Sequence, residues 1–247
     1  MARDFRYQIN EHFWTIQGEG IHAGKTAIFI RLQGCPVGCH WCDSKTTWYK
    51  GGSSYTRDEI RQMILGYPRA GQVVITGGEP LIHDLDNLIT LIRQTDSRTQ
   101  ITLETSGAFG FKGYCRPGWI TLSPKAAADW KIDHEVLTRA NEIKFVIDEQ
   151  FNPGIVKSIR AQRAKLNPDP APIVFMPEGA PPRSEMIIRT LDLLASEFPE
   201  ARFGPRLQYD YPEIGKQEGR NNLIISESDA RSEAREMVRG TDGNNQN

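Results

Sequence analysis

The sequence predicts an α/β protein: one domain built on a parallel sheet curled into an incomplete (β/α) barrel. Two observations carry this. Short apolar runs alternate with amphipathic stretches over nearly the whole chain, the pattern of a parallel sheet with helices outside. Several of those runs end in polar or glycine-rich clusters, and in α/β sheets and barrels ligands sit at the carboxyl ends of strands. The chain has 247 residues, enough for one barrel-type domain with a proper core. That domain is expected over residues 1–225. A polar tail over 226–247 lacks an apolar pattern and is expected to be partly disordered.

Taken in order, Ile9 to Gly24 holds Gln17-Gly18-Glu19-Gly20, which reads as a tight loop or a connector before the first strand. Thr26–Leu32 reads as a buried strand and runs directly into a cysteine-rich loop. Thr56-Arg-Asp-Glu59 has the form of a capping box, with Ile60, Met63 and Ile64 on one helical face. Val73–Thr76 is a second strand, ending in Gly77-Gly78-Glu79-Pro80. Asp84 is placed to cap a helix carrying Leu85, Leu88, Ile89 and Ile92 on one side. Further strands are expected at Gln100–Glu104, Trp119–Leu122, Glu142–Ile147 and Ile173–Met176, and a last one including Arg206-Leu-Gln208. Helices are expected at His134–Ala140, from Pro153 to about Leu166, and from a Ser184 cap to about Phe198. On this reading Cys35–Cys42, Gly77–Glu79, Glu104–Ser106 and Ser123–Lys125 share one rim, a convergence that a mere scaffold does not need.

Composition narrows the class. Net charge is −1, and the Lys and Arg residues are scattered, so neither nucleic acid nor another polyanion is indicated. No apolar run is long enough to span a bilayer, and Met1 to Arg6 has no apolar signal region. Three of the four cysteines fall in one motif, which is no disulfide framework and fits a reducing compartment. A cytoplasmic protein is expected.

That motif is Cys35-x3-Cys39-x2-Cys42. Zinc sites normally take four ligands in two pairs. Three thiolates on a tight loop suit a [4Fe–4S] cluster with one iron left open. A zinc loop, an iron–sulfur electron carrier and three ordinary thiols are the rival readings. His40 reads as a spacer and Cys115 as a non-ligand, since a fourth thiolate would close the open iron. His83-Asp84 could be a dyad, but a helix cap explains Asp84. Phe13, Trp14, Trp41 and Trp48 suit either stacking on a planar ligand or core packing.

With Trp41 before its last cysteine, the motif resembles the radical S-adenosylmethionine (SAM) superfamily, whose fold is a partial (β/α)6 barrel. The resemblance sharpens with Gln17-Gly-Glu-Gly, Arg31, Cys42-Asp43-Ser44, Thr76-Gly-Gly-Glu-Pro, Glu104-Thr-Ser-Gly, Ser123-Pro-Lys125 and Asn141-Glu-Ile-Lys144. In order and spacing, over roughly residues 8 to 147, these look like the 7-carboxy-7-deazaguanine synthase family. The resemblance implies a lyase that converts 6-carboxy-5,6,7,8-tetrahydropterin to 7-carboxy-7-deazaguanine with release of ammonia, on the route to queuosine and related deazapurines. It implies a [4Fe–4S] cluster, SAM and Mg²⁺, an electron donor such as flavodoxin, and a homodimer. Cys35, Cys39 and Cys42 would bind the cluster and Ser44 the Mg²⁺. Trp41, Cys42, Asp43, Gly78, Glu79, Glu104, Ser106, Ser123, Pro124 and Lys125 would surround SAM. Ile16, Gln17, Gly18, Arg31, Thr76 and Gln208 would hold the pterin.

Two departures stand out. Many relatives have Thr where this chain has Ser44; serine keeps the oxygen but lacks the methyl that fixes the rotamer, which implies a weaker Mg²⁺ dependence. Relatives carry Gln-x-His-Lys where this chain has Gln208-Tyr209-Asp210-Tyr211. The rivals are an activase that makes a glycyl radical on a partner protein, and an iron–sulfur or zinc module without catalysis.

Overall fold

The computed structural model describes residues 5–49, 51–68 and 70–211. The tail expected over 226–247 lies outside the described residues. The described residues form one nine-stranded sheet in the order β3-β1-β2-β4-β5-β6-β7-β8-β9. β1 (Arg6–Ile16) lies antiparallel to both β2 (Thr26–Leu32) and β3 (Ser53–Thr56). From β2 onward every neighbour is parallel: β4 (Gln72–Gly77), β5 (Gln100–Thr105), β6 (Trp119–Leu122), β7 (Glu142–Ile147), β8 (Ile173–Pro177) and β9 (Arg202–Phe203). The two end strands do not pair with each other, so the barrel is incomplete, as the sequence predicts.

Strand geometry divides the side chains by alternation. Ile28, Ile30 and Leu32 of β2, Val73 and Ile75 of β4, Ile101 and Leu103 of β5, and Ile143, Phe145 and Ile147 of β7 join the main core. The helices close over that face. α1 (Arg57–Leu65) buries Ile60, Met63 and Ile64, and α2 (Asp86–Thr95) buries Leu88, Ile89, Leu91 and Ile92. α3 (His134–Arg139) and α4 (Pro153–Ala164) add Val136, Leu137, Val156 and Ile159. α5 (Ser184–Ser196) adds Leu193, and Phe145, Phe151, Phe175 and Phe198 meet edge to face. Each such side chain contributes about 1.5–3 kcal/mol by leaving water. The other face has only a small apolar floor, Ala27, Phe29 and Val74, with Phe13 stacked on Phe29 at 5.1 Å. Its other inward positions mix polar side chains with a few apolar ones, Ile16, Val146 and Met176, and together they line the site.

The capping box opens α1: Glu59 N–H reaches Thr56 Oγ1 at 3.3 Å and Thr56 N–H reaches Glu59 Oε2 at 2.7 Å. Asp84 sits one residue ahead of the cap position, where its Oδ1 accepts from Asp86 N–H at 2.9 Å. Ser184 is the first residue of α5 rather than its cap, which is Arg183. Two corrections are larger. The expected connector from Ile9 is strand β1, and the loop begins only at Gln17. The expected strand at Arg206–Gln208 is instead the start of a one-turn helix, α6 (Leu207–Asp210), and the last strand is the two-residue β9 just before it.

Candidate active site

The carboxyl ends of β2, β4, β5 and β6 open into a cavity of about 730 Å³. Cys35, Cys39 and Cys42 line it, with Gly77–Glu79, Glu104–Ser106, Ser123 and Lys125, so the four clusters placed on one rim share one cavity. Trp41, Asp43, Ser44, Ile16, Gln17, Gly18, Arg31, Thr76 and Gln208 line it as well; Pro124 does not.

The cysteine loop is seated by a close backbone approach. Gly77 has φ +144°, and its N–H-bearing neighbour Gly78 donates to Leu32 O at 3.0 Å. A Cβ on Gly78 would run into the Gly34 carbonyl and lie 2.8 Å from the Cβ of Cys35. Glycine at this strand end is therefore what lets the loop fold against it. All three thiols are free, and burial raises those of Cys35 and Cys39. Among the described residues no three His, Cys, Asp or Glu side chains converge tightly enough for a single ion. Three thiols spread around a loop fit a cluster, which gives each thiolate its own iron.

Glu79 is 1% exposed and fully committed. It accepts from Leu81 N–H at 3.0 Å, Thr105 Oγ1 at 2.6 Å, Ser106 N–H at 2.8 Å and the Ser106 hydroxyl. Its carboxylate braces the ends of β4 and β5 against each other. Across the cavity Lys125 donates to Ser123 Oγ at 2.6 Å and lies over the Trp41 ring at 4.8 Å. Burial pushes its ammonium down. Trp41 is anchored from behind by Asp148 Oδ2 at 3.2 Å.

The second half of the cavity is a charge network. Glu104 accepts from Gln17 Nε2 at 3.0 Å and Thr76 Oγ1 at 3.1 Å. Lys144 lies 2.9 Å from Glu19 Oε2 and 3.6 Å from Glu104 Oε1. Arg206 Nε and Gln208 Nε2 reach Glu19 Oε1 at 3.2 and 2.9 Å. Burial alone would raise the Glu19 carboxyl. The Lys144 and Arg206 cations, with hydrogen bonds from Lys144 and Gln208, outweigh it and hold the carboxyl well below the usual range. Burial likewise pushes Lys144 down, and Glu104, Glu19 and Glu142 outweigh it and hold it above the usual ammonium range. Glu142 anchors the same loop from below, accepting from Ile21 N–H at 2.7 Å and Thr121 Oγ1 at 2.6 Å. Arg31 Nε donates to Glu11 Oε1 at 2.7 Å on the paired strand.

Arg206 and Tyr209 bring α6 over the mouth. Arg206 Nη2 and Tyr209 Oη meet Asp43 Oδ2 at 2.9 and 3.2 Å, and Leu207 N–H donates to Gly18 O at 3.1 Å. The Tyr209 hydroxyl is pushed up to about 12, by burial first and then by Asp43. Arg206 and Tyr209 escaped sequence reasoning because the strand expected there would have scattered them to opposite faces. Lys144 had a signal: a cation inside an apolar strand needs a buried partner.

Of the other candidates, His40, Cys115, His83 and Trp14 fall away from the cavity. His40 is 68% exposed. Cys115 lies against Thr90 Oγ1 at 3.5 Å and outside the lining. The His83 ring sits 2.8 Å from the Gln33 carbonyl, a loop brace rather than a dyad. Trp14 stacks on Tyr67, while Phe13, Trp41 and Trp48 line the cavity.

Comparisons with known proteins bear on the family and the fold. The family model described as the radical SAM superfamily matches residues 29–128. The 7-carboxy-7-deazaguanine synthase of Escherichia coli (strain K12) is 42% identical over 179 residues, covering 63% of this chain and 76% of the relative. The enzyme of the same name from Aquifex aeolicus (strain VF5) is 31% identical over 189 residues, covering 75% and 83%. The crystal structure of QueE from Escherichia coli superposes with a TM-score of 0.64 at 32% identity, covering 81% of this chain and 93% of that one.

Proposed function

The chain belongs to the family of 7-carboxy-7-deazaguanine synthases, within the radical SAM superfamily, and from that premise we propose that it converts 6-carboxy-5,6,7,8-tetrahydropterin to 7-carboxy-7-deazaguanine with release of ammonia. It is a radical SAM lyase of deazapurine biosynthesis, acting on a small molecule and needing a reductant, here proposed to be a flavodoxin-type donor. The observation that carries the reading is one cavity holding both the three thiols and the Gln17–Glu104–Thr76 polar set.

The residues suit the two groups that the family implies. Cys35, Cys39 and Cys42 would hold the [4Fe–4S] cluster. Trp41, Gly78, Ser123 and Lys125 would surround SAM on the same side. When bound, these groups supply the radical that removes a hydrogen from the substrate. The protein's part is orientation and dryness. Arg31 spends Nε on Glu11, which fixes the plane of its fork and leaves the outer nitrogens for the substrate carboxylate. Gln17 and Thr76 hold the Glu104 carboxylate, which would line the ribose side of SAM, and the amide and backbone groups of Gln17-Gly18 would read the aminopyrimidinone edge of the substrate. Lys144 balances Glu19 and Glu104, so the cavity accepts a polar heterocycle without stranding a charge. α6 lies beside the mouth, where with the ligands bound it would limit the entry of water.

Mg²⁺ is the finer part of the proposal. It takes hard oxygen donors and keeps waters, using few protein ligands besides the substrate. Ser44 Oγ, 3.1 Å from Asp43 Oδ1 and lining the cavity, is a donor of that kind. A homodimer in the cytoplasm is also proposed. No helix among the described residues is long and apolar enough to cross a membrane.

The test is an anaerobic assay of the reconstituted protein with SAM, dithionite and the pterin, with and without Mg²⁺, read by mass spectrometry. Formation of 7-carboxy-7-deazaguanine is expected, with loss of product in Cys39→Ala. Cleavage of SAM to 5′-deoxyadenosine without that product would keep the radical chemistry and discard the substrate.

A further inference from the structure

We propose that Arg206 is a positioning residue for the Ser44 hydroxyl, acting through Asp43; the proposal rests on the reading of Ser44 as a Mg²⁺ ligand. The Arg206 side chain is 13% exposed, and its three nitrogens serve three different segments. Nε lies 3.2 Å from Glu19 Oε1 in the loop after β1. Nη1 donates to Gly179 O at 2.6 Å in the turn after β8. Nη2 donates to Asp43 Oδ2 at 2.9 Å in the cysteine loop. The guanidinium also lies over the Tyr209 ring, 4.7 Å from its centroid, and the Tyr209 hydroxyl reaches the same Asp43 oxygen.

The other Asp43 oxygen, Oδ1, accepts the Ser44 hydroxyl at 3.1 Å. A hydroxyl that donates its one proton to a carboxylate keeps its lone pairs for a cation. The same bond sets its rotamer. A threonine at this position would be held by its own methyl group. Serine has no such restraint, and here Asp43 supplies it. Asp43 is itself 43% exposed, and what keeps it from swinging into water is the pair of donors from Arg206, just ahead of α6, and Tyr209 within it. The unusual C-terminal segment and the unusual serine are therefore two halves of one arrangement: Arg206 and Tyr209 hold Asp43, and Asp43 aims Ser44.

The test uses the full-length protein with its cluster reconstituted, as wild type, Arg206→Gln, Ser44→Thr, the double variant and Ser44→Ala. Lys157→Gln, on the exposed face of α4, serves as control. One readout is the Mg²⁺ concentration for half-maximal activity. The other is the affinity for Mn²⁺, followed by its EPR signal with SAM and the pterin present and the cluster left oxidised, so that nothing turns over. Arg206→Gln is expected to raise both concentrations by about tenfold, the scale on which losing a partner that orients a metal ligand acts. Iron content and SAM binding stay at wild-type values, and Lys157→Gln changes nothing. Adding Ser44→Thr to Arg206→Gln is expected to restore both readouts, because the methyl group replaces the lost restraint. A purely structural role for Arg206 gives no such rescue.

Unchanged metal dependence in Arg206→Gln overturns the proposal, as does failure of Ser44→Thr to restore it. If Arg206→Gln loses iron, Tyr209→Phe takes its place. A smaller rise in the same direction, reversed by Ser44→Thr, then supports the proposal, and no rise overturns it. A wild type indifferent to the metal in both readouts, matching Ser44→Ala, removes the Mg²⁺ reading itself and the proposal with it.

Discussion

Lys144 is the residue on which the inner face depends. It is 6% exposed and faces two carboxylates, Glu19 and Glu104. Lys144→Met would leave Glu104 without its cation and Glu19 with Arg206 alone, and removing one partner of a buried pair costs about 3–5 kcal/mol. A urea-unfolding midpoint at neutral pH is expected to fall accordingly. The pH dependence has a definite sign. Glu19 is held below its unfolded value of about 4.3, so its contribution is present above that pH and is lost as pH falls through the folded value. Lys144 is held above its unfolded value of about 10.4, so its contribution is complete below that pH and is lost only above it. Stability from this pair should be flat between about pH 5 and 10 and decline in acid, and Glu19→Gln should flatten the acid limb of the midpoint-against-pH curve. At this scale the sequence was half legible. Glu104 follows from its position at a strand end, and Gln17 and Thr76 from the family resemblance of the motifs around them. Glu19 and Lys144 stood in the same motifs, but their pairing is set by strands far apart in sequence, and only the curl of the sheet brings them together.

At the level of elements, the end of β4 and the cysteine loop are one unit, because the loop folds against a position where only glycine fits. Gly78→Ala would drive a methyl into the Gly34 carbonyl and the Cys35 Cβ, displacing the first thiol. After anaerobic reconstitution, iron content and the cluster's visible absorbance are expected to fall sharply in this variant, while the circular dichroism of the sheet and helices stays near wild type. The parallel strands β2 and β4 to β8 were legible because Val, Ile, Leu and Phe recur in each, whereas the two-residue β9 carries no such signal. β1 was not. Its Asn10, Glu11 and His12 interrupt any apolar alternation, since its inner face lines a polar cavity rather than a core. β3, Ser53–Thr56, is a short polar edge strand without an apolar signal. The turn of helix at Leu207–Asp210 was hidden for another reason: what holds it is contact with the Gly18 carbonyl, Glu19 and Asp43, none of it local.

For the molecule as a whole, the fold class could be read from alternation alone, and the convergence of strand ends gave the rim. The assembly could not be read that way, because surface composition says little about which faces meet. Sedimentation equilibrium of the reconstituted protein is expected to return twice the 27.9 kDa of a single chain, and a mass of one chain would end the homodimer proposal. The roof also has a consequence for how the protein is made. Gly18 and Glu19 near the start of the chain meet Arg206 and Leu207 near its end. Ribosomes add about 5–20 residues per second, amino end first. The cysteine loop and its seat on β4 are therefore complete on the order of ten seconds before α6 exists. Through that interval the thiols stand in an unroofed half-barrel. The order of synthesis thus puts the three thiols in the growing chain well before the segment that lies over them.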